Sequence, residues 1–325
     1  MRSFYAWRKN LSQPAKWINE EGYFLAIHAL GMHHRLEIDQ ARFEEIQTAW
    51  ASLRHMVNLE EGWDAVIQNY LELEKGLLDT AARHMIVSMY DYHNFQDIRL
   101  AFAVKLSNLL STCRAYLDHT PRHLNGLKPQ QGETEAFRLA TNREYDGRSG
   151  YQIMEALRNY SQHGGLPLHG ASYDARRKEG DQAGMLQFAV ATHVMVDRLR
   201  EDKAFKQAVL KDVTEEKLAA EPLIRDYIEG LSCIHMELRK LLQERVARWM
   251  KTIRDATEDY LEGSPESSTL GLSAIQLGKR NEWLQTVPLV EDMLERVEIL
   301  QKRNRSLQRL TSSFVSSAPR PPKKR

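Results

Sequence analysis

The chain has 325 residues, of which 42% are hydrophobic and 27% are charged, a balance typical of a globular protein with one large or two smaller helical domains. Its two cysteines are too few for a disulfide framework or a four-cysteine zinc site. The N-terminal residues lack the apolar core of a signal peptide, and no apolar stretch is long enough to cross a membrane, so we expect a cytoplasmic protein without membrane contact.

The formal net charge of +1 hides an uneven distribution of charge. Residues 299–325 contain eight basic side chains and no acidic one. Taking these eight from the 45 Lys and Arg leaves 37 basic against 44 acidic residues in 1–298, a net charge of −7. Attraction to a nucleic acid must therefore come from a local basic patch or from the tail, which can equally be a solvated end or a short nuclear-import signal.

Apolar residues recur every three or four positions in four segments of the first half of the chain. These segments are 66–89, 98–116, a shorter one around Phe137 and Ala140, and 151–163. The last of them stops at Gly164-Gly165, and glycine directly after a periodic segment is a helix stop signal. The spacing predicts four helices. Because no run of alternating apolar residues is present, we predict no strands.

The second half of the chain begins with a glycine-rich stretch, 164–184, which predicts a linker. A helical pattern resumes at 185–210, and a long helix is predicted over 222–261, with Pro222 in its first turn. A last helix is predicted over 289–312, before a tail, 316–325, that we expect to be disordered. The long helix either packs within its own domain or forms a dimerising coiled coil.

The predicted fold is therefore all-α, a helical bundle. We divide it into an N-terminal helical extension (1–60), a central helical domain (61–172), a C-terminal helical domain with the long helix (173–298), and a basic helix end with a disordered tail (299–325).

Residues 158–163 read Arg-Asn-Tyr-Ser-Gln-His and form the sharpest chemical motif of the sequence. Metal-free RNA cleavage needs a base that takes a proton from a ribose 2′-hydroxyl near neutral pH, and histidine suits this task. It also needs a fixed cation to stabilise charge developing on the phosphate, and arginine suits that one. Arg158 and His163 supply both groups, and Asn159 can orient them.

Spacing alone does not select this motif, because Arg114 and His119 form a second pair with the same separation. Context separates the two pairs. The second residue of the other pair is the apolar Ala115, and the pair lies in the middle of the predicted bundle, not on its last helix.

The Arg158 motif resembles the signature of the HEPN superfamily of helical ribonucleases and nucleotide-binding proteins. That signature is arginine, a polar residue, three to five further residues and histidine, toward the end of the last helix of a four- to five-helix unit. The resemblance covers roughly residues 61–170, is carried by the six motif positions, and does not explain 1–60 or 171–325.

The resemblance implies a metal-independent endoribonuclease that needs no cofactor and cleaves RNA in the cleft of a homodimer. Many such proteins are toxins or antiviral effectors, so a cognate antitoxin or a defence-system partner is an expected binder. By this resemblance Arg158, Asn159 and His163 are the catalytic residues. Gln162 and His169 are candidate substrate-binding residues, His169 on the condition that the loop after the motif folds back.

Helix geometry constrains this interpretation. Residues five apart on a continuous helix differ by about 140° in direction, whereas Asn159 and His163, four apart, share a face. Arg158 and His163 can act together if the helix ends at His163, if the long arginine reaches round, or if a two-fold dimer supplies one of them to each site.

One alternative function remains open, and one candidate metal site is set aside. The alternative function is a catalytically inactive helical scaffold or sensor that binds a nucleotide, RNA or a partner protein, and the acidic body favours it slightly. The candidate metal site consists of His119 and His123, whose spacing suits a metal on a helix. Because Pro121 between them predicts a helix end, and no acid or cysteine completes a ligand set, we expect no metal site.

Overall fold

The computed structural model describes residues 21–29, 33–87, 91–128, 130, 132–177 and 184–315. Helix dominates these residues, in agreement with the apolar periodicity. The helices are α1 (Gln40–Ile86), α2 (Tyr92–Gly126), α3 (Glu133–Gly147), α4 (Ser149–His163), α5 (Val196–Glu201), α6 (Ala220–Gly263) and α7 (Glu291–Arg303). Within these ranges no helix combines the length and the apolar character that a membrane span requires.

Two small antiparallel sheets accompany the helices, so the prediction of an all-α fold without strands is wrong. One sheet has the order β2-β1-β6-β7 and the other has the order β3-β4-β5. The strands are β1 (Gly22–Ile27), β2 (Arg35–Ile38), β3 (Gly170–Arg177), β4 (Leu186–Met195), β5 (Lys217–Ala219), β6 (Leu272–Leu277) and β7 (Trp283–Pro288). The predicted N-terminal helical extension therefore contains a β-hairpin.

The pairing of β1 with β6 explains why periodicity missed the first sheet. Phe24 lies opposite Ile275, and Leu25 lies opposite Ala274. All four are buried, although neighbouring residues of a strand point to opposite faces of the sheet. A strand buried on both faces lacks a regular alternation of apolar and polar residues, and a short apolar run such as β1 cannot be distinguished by periodicity from a buried helical segment.

Part of the predicted linker forms β3, and the first part of the helix predicted over 185–210 forms β4. The two strands pair as a hairpin, in register from Gly170 opposite His193 to Arg177 opposite Leu186. The prediction of a helix over 185–210 is therefore wrong except for the short α5. One face of this hairpin packs on helices: Tyr173 stacks on His84 of α1 with ring centroids 4.3 Å apart, and Phe95 of α2 contacts the same tyrosine. These contacts come from distant parts of the chain, so the local pattern of 164–210 does not show them.

Several predicted helix limits are confirmed. The fourth helix ends at His163, directly before the glycine pair, and α6 spans the predicted long helix with Pro222 in its first turn.

The last helix ends at Arg303, earlier than predicted. Side chains of α6 accept the hydrogen bonds that a longer helix would form internally: Ser232 Oγ accepts from the Leu307 N–H at 2.9 Å, and the Glu229 carboxylate accepts from two further N–H groups. The predicted disordered tail, 316–325, lies outside the described residues.

The chain divides into two compact units, each built from segments that are distant in sequence. Unit 1 comprises residues 1–57 and 243–298, and unit 2 comprises residues 58–242 and 299–325. The consecutive domains predicted above do not coincide with them, because α1 and α6 each contribute residues to both units. Unit 1 contains the sheet β2-β1-β6-β7, whose core includes Phe24, Ala26, Ile275 and Leu277. Unit 2 contains α2–α5, the other sheet and the Arg158 motif.

Within unit 2, the start of α4 is held against α6. The Asp226 carboxylate accepts a hydrogen bond from the Gly150 N–H at 3.0 Å and one from Arg148 Nη1 at 2.8 Å. One turn further along α4, Glu155 accepts a hydrogen bond from the Tyr227 hydroxyl at 2.6 Å. These contacts set the direction in which α4 carries the motif at its other end.

Candidate active site

The last two turns of α4 carry the motif. The inner face of α4 is apolar and buried, with Leu157 and Tyr160 beside the motif positions. Arg158 is half-buried, whereas Asn159 and His163 are exposed. Because His163 is the last helical residue, it stands at a free helix end next to a loop.

The glycine pair after His163 is needed for space. Gly164 has φ −113°, so the backbone is not left-handed there. A Cβ atom at Gly164 would lie 2.8 Å from the Tyr160 ring and 2.9 Å from Asp202 Oδ2. A Cβ atom at Gly165 would lie 3.0 Å from the Tyr160 hydroxyl. The loop therefore passes closely over Tyr160, and a side chain at Gly164 would have to displace the Tyr160 ring and Asp202.

Arg158 is held by a motif residue. Its Nη1 donates a hydrogen bond to Gln162 Oε1 at 3.0 Å, so two of the predicted site residues are in contact. The Nε atom is buried and has no hydrogen-bond partner among the described residues. No carboxylate in the described part of the chain forms an ion pair with Arg158, so its positive charge is available to an anion.

Asn159 and His163 project from the exposed side of the helix end. Neither side chain makes a hydrogen bond or an ion pair with any residue that the structure describes. Being four residues apart on α4, they share a face. Their polar atoms are therefore open to a ligand from solvent or from a second protomer.

His169 lies beside the motif because the loop after α4 folds back. Its ring meets the Tyr160 ring edge to face, with centroids 6.0 Å apart. The Met195 N–H donates to His169 Nδ1 at 3.0 Å, and Nε2 is buried without a partner among the described residues. Both ring nitrogens are thus enclosed in the protein, and in this arrangement His169 fixes the loop to β4.

Burial makes His169 difficult to protonate. Desolvation, together with the positive charges of Arg198 and Arg99, lowers the pKa of His169 from 6.5 to about 4. Its ring is therefore neutral near pH 7.

This shift predicts a pH dependence of stability. Between pH 6.5 and 4 the unfolded chain binds a proton at His169 that the folded chain does not, so stability falls as the pH is lowered through that range. His169→Asn keeps an acceptor for the Met195 N–H but cannot be protonated. We expect the loss of unfolding free energy between pH 7 and pH 5 to be about 1 kcal/mol smaller in the variant, allowing for solvent screening. Urea unfolding at both pH values measures it, and equal losses in variant and wild type would contradict the expectation.

The second Arg-x4-His pair has a different environment. Arg114 forms ion pairs with Asp118 at 2.7 Å and Glu155 at 3.8 Å, so its charge is compensated by carboxylates. Phosphate binding needs a positive charge that no carboxylate compensates. Among the described residues Arg158 has such a charge and Arg114 does not. This difference makes the second pair a suitable experimental control.

The expected helix end at Pro121 is wrong, because α2 continues to Gly126. Buried residues on either side of the proline, Thr120 and Leu124, pack in unit 2 and hold the helix together despite the missing N–H. His119 and His123 consequently line one cavity of about 210 Å³, together with Asn58 and Tyr116. Across the described ranges, no group of three or more His, Cys, Asp or Glu is placed to hold a metal ion.

Residues near the motif that sequence reasoning missed are Asp202, Arg99 and Arg198. Asp202 approaches Gly164, and the two arginines act electrostatically on His169. They come from α2 and from the segment after β4, and no spacing in the sequence connects them with residues 158–163.

No protein-family model, curated protein or solved structure matches the chain.

Proposed function

We propose that this protein is a metal-independent endoribonuclease of the HEPN type that acts as a homodimer. The observation that carries the proposal is the composition of the end of α4. There an arginine without a carboxylate partner among the described residues and an exposed terminal histidine lie in the same six residues. The expected biological role is that of a toxin or antiviral effector, controlled by an antitoxin or another defence protein.

The proposed chemistry is transesterification within RNA. His163 takes the proton from a ribose 2′-hydroxyl, and the resulting oxygen attacks the adjacent phosphorus. The bond to the 5′-oxygen breaks, and that oxygen receives a proton from an imidazolium. The products are a 2′,3′-cyclic phosphate and a 5′-hydroxyl. Arg158 stabilises the negative charge on the phosphoryl oxygens during the attack, and Asn159 orients the histidine or the ribose.

A homodimer can bring an arginine and a histidine of the motif together in one site. Arg158 and His163 differ by five positions on α4, so their side chains leave the helix in different directions. Two copies related by a two-fold axis can combine Arg158 of one protomer with His163 of the other.

An RNA digest in the presence of EDTA tests the proposal. Wild type is expected to cleave single-stranded RNA, and His163→Ala and Arg158→Ala are each expected to reduce the rate by about 10²- to 10⁴-fold, because each removes a transition-state contact. His119→Ala is the matched control, since it removes the histidine of the other Arg-x4-His pair, and we expect it to keep the wild-type rate.

Mixing the two inactive variants tests the shared site. If each site combines both protomers, heterodimers of His163→Ala and Arg158→Ala contain one intact site, and about a quarter of the wild-type rate returns. Cleavage that persists in both single variants would contradict the assignment of the site. A folded wild type that never cleaves RNA would favour the inactive scaffold or sensor.

A further inference from the structure

Two arginines lie close to the loop that follows the motif. Arg99 of α2 donates from Nη1 to the carbonyl oxygen of Leu168 at 3.4 Å and from Nε to Gln96 Oε1 at 3.0 Å. Both acceptors are neutral, so they hold the guanidinium without cancelling its charge. Arg198 belongs to α5, which begins directly after β4, and its side chain is exposed.

Neither arginine forms an ion pair with a carboxylate that the structure describes. Other arginines of unit 2 differ, since Arg148 and Arg225 pair with carboxylates at 2.8 Å. The charges of Arg99 and Arg198 both act on His169, where they lower the pKa together with burial. Geometry places both near this ring, because Arg99 donates to the carbonyl oxygen of the preceding Leu168, and Arg198 follows by three residues Met195, whose N–H donates to His169 Nδ1.

This cationic region is next to the catalytic helix end. His169 meets Tyr160 edge to face, and Tyr160 is one helical turn before His163. Residues three apart on a helix are neighbours on its surface. One carboxylate is also present, since Asp202 Oδ2 approaches Gly164 and Asp202 Oδ1 accepts a hydrogen bond from the Ala204 N–H at 2.7 Å.

We propose that Arg99 and Arg198 bind the phosphodiester backbone of single-stranded RNA beside the linkage that His163 cleaves. This inference rests on the proposed function for the identity of the ligand. The charge distribution allows attraction of RNA either by a local basic patch or by the basic tail. The inference assigns RNA binding to the patch formed by Arg99 and Arg198. Guanidinium groups without acid partners are suited to phosphate oxygens, which accept two parallel hydrogen bonds from one arginine.

The test is a binding measurement that does not depend on cleavage. Fluorescence anisotropy with a labelled 2′-O-methyl RNA oligonucleotide, which lacks the attacking hydroxyl, gives the dissociation constant at several salt concentrations. Arg99→Gln and Arg198→Gln are each expected to weaken binding several-fold and to reduce the slope of log K against log salt by about 0.7. Asp202→Asn is expected to tighten binding, because it removes the nearby negative charge.

Two variants serve as controls in the full-length protein. Arg138→Gln removes an exposed arginine that is paired with Glu135, and it is expected to bind like wild type. Replacing Lys323, Lys324 and Arg325 together by Gln tests the tail, and we expect at most a small loss of affinity. The inference is overturned if Arg99→Gln and Arg198→Gln bind like Arg138→Gln, or if the tail variant accounts for the salt dependence.

The binding result separates this inference from the proposed function. Binding that depends on Arg99 and Arg198 in a protein that never cleaves RNA would support the patch and reject the nuclease. Cleavage that depends on His163, with binding insensitive to both arginines, would support the nuclease and reject the patch.

Discussion

Replacing Glu60 by alanine is expected to lower the free energy of unfolding by about 3–5 kcal/mol, because it leaves buried partners without their carboxylate. Glu60 is fully buried in unit 2. Its carboxylate accepts hydrogen bonds from Arg239 Nε at 2.9 Å, from Gln301 Nε2 at 3.1 Å and from His235 Nε2 at 3.3 Å. Burial by itself raises the pKa of Glu60, but the hydrogen bonds from His235 and Arg239 outweigh it and lower the pKa to about 2.

The network extends beyond the carboxylate. The Tyr116 hydroxyl and His235 Nδ1 are 2.8 Å apart, and Arg239 Nη1 donates to the carbonyl oxygen of Asn304 at 2.7 Å. Through Arg239, the Glu60 carboxylate is therefore linked both to α6 and to the segment that follows α7. Loss of the carboxylate is expected to destabilise both segments.

Urea unfolding followed by tryptophan fluorescence measures this effect, because Trp63 stacks on His235 with ring centroids 5.1 Å apart. Glu72→Ala is the control. Glu72 lies on the same helix, is exposed and pairs with Lys75 at 3.0 Å, and we expect its loss to leave the midpoint of unfolding unchanged. Equal midpoints for Glu60→Ala and Glu72→Ala would show that the buried network does not stabilise the fold.

Gly150→Ala is expected to destabilise the protein by about 1–3 kcal/mol, because the added methyl group has no space. A Cβ atom at Gly150 would lie 2.8 Å from Asp226 Cβ and 2.9 Å from the carbonyl oxygen of Leu223. The carbonyl oxygen belongs to the backbone of α6, so it cannot turn aside as a flexible side chain can. The substitution must push α4 away from α6 and also disturbs the hydrogen bond from the Gly150 N–H to Asp226.

Gly147→Ala provides the matched comparison three residues earlier. No atom lies within 4 Å of a Cβ built at Gly147, and alanine favours helix over glycine, so no loss of stability is expected. Thermal unfolding of both variants measures the difference. If the two variants unfold at the same temperature, the close approach of α4 to α6 is not a packing constraint. If the nuclease proposal holds, Gly150→Ala should also cleave RNA more slowly, because α4 carries the motif.

The sequence alone predicts α2, α4 and α6, because a helix buries one stripe of side chains and the stripe is visible as a local period. The end of α4 could be predicted from Gly164 for the same reason, although the glycine there provides space and does not adopt a left-handed backbone. The strands could not be predicted in this way. β1 pairs with β6, far along the chain, and both faces of the pair are buried, so no alternation marks it.

Some features of the candidate site could likewise be predicted from the sequence, and others could not. The position of Arg158, Asn159 and His163 at one helix end could be predicted from the sequence, since their order and the following glycines are local features. The three-dimensional contacts were needed to see that Asp118 and Glu155 compensate the charge of Arg114, whereas Arg158 has no acid partner among the described residues. They were also needed to see that α2 continues through Pro121, and that Arg99 and Arg198 act on His169. Charge compensation and burial depend on groups that folding brings together from distant parts of the chain. A local sequence pattern therefore does not show these contacts.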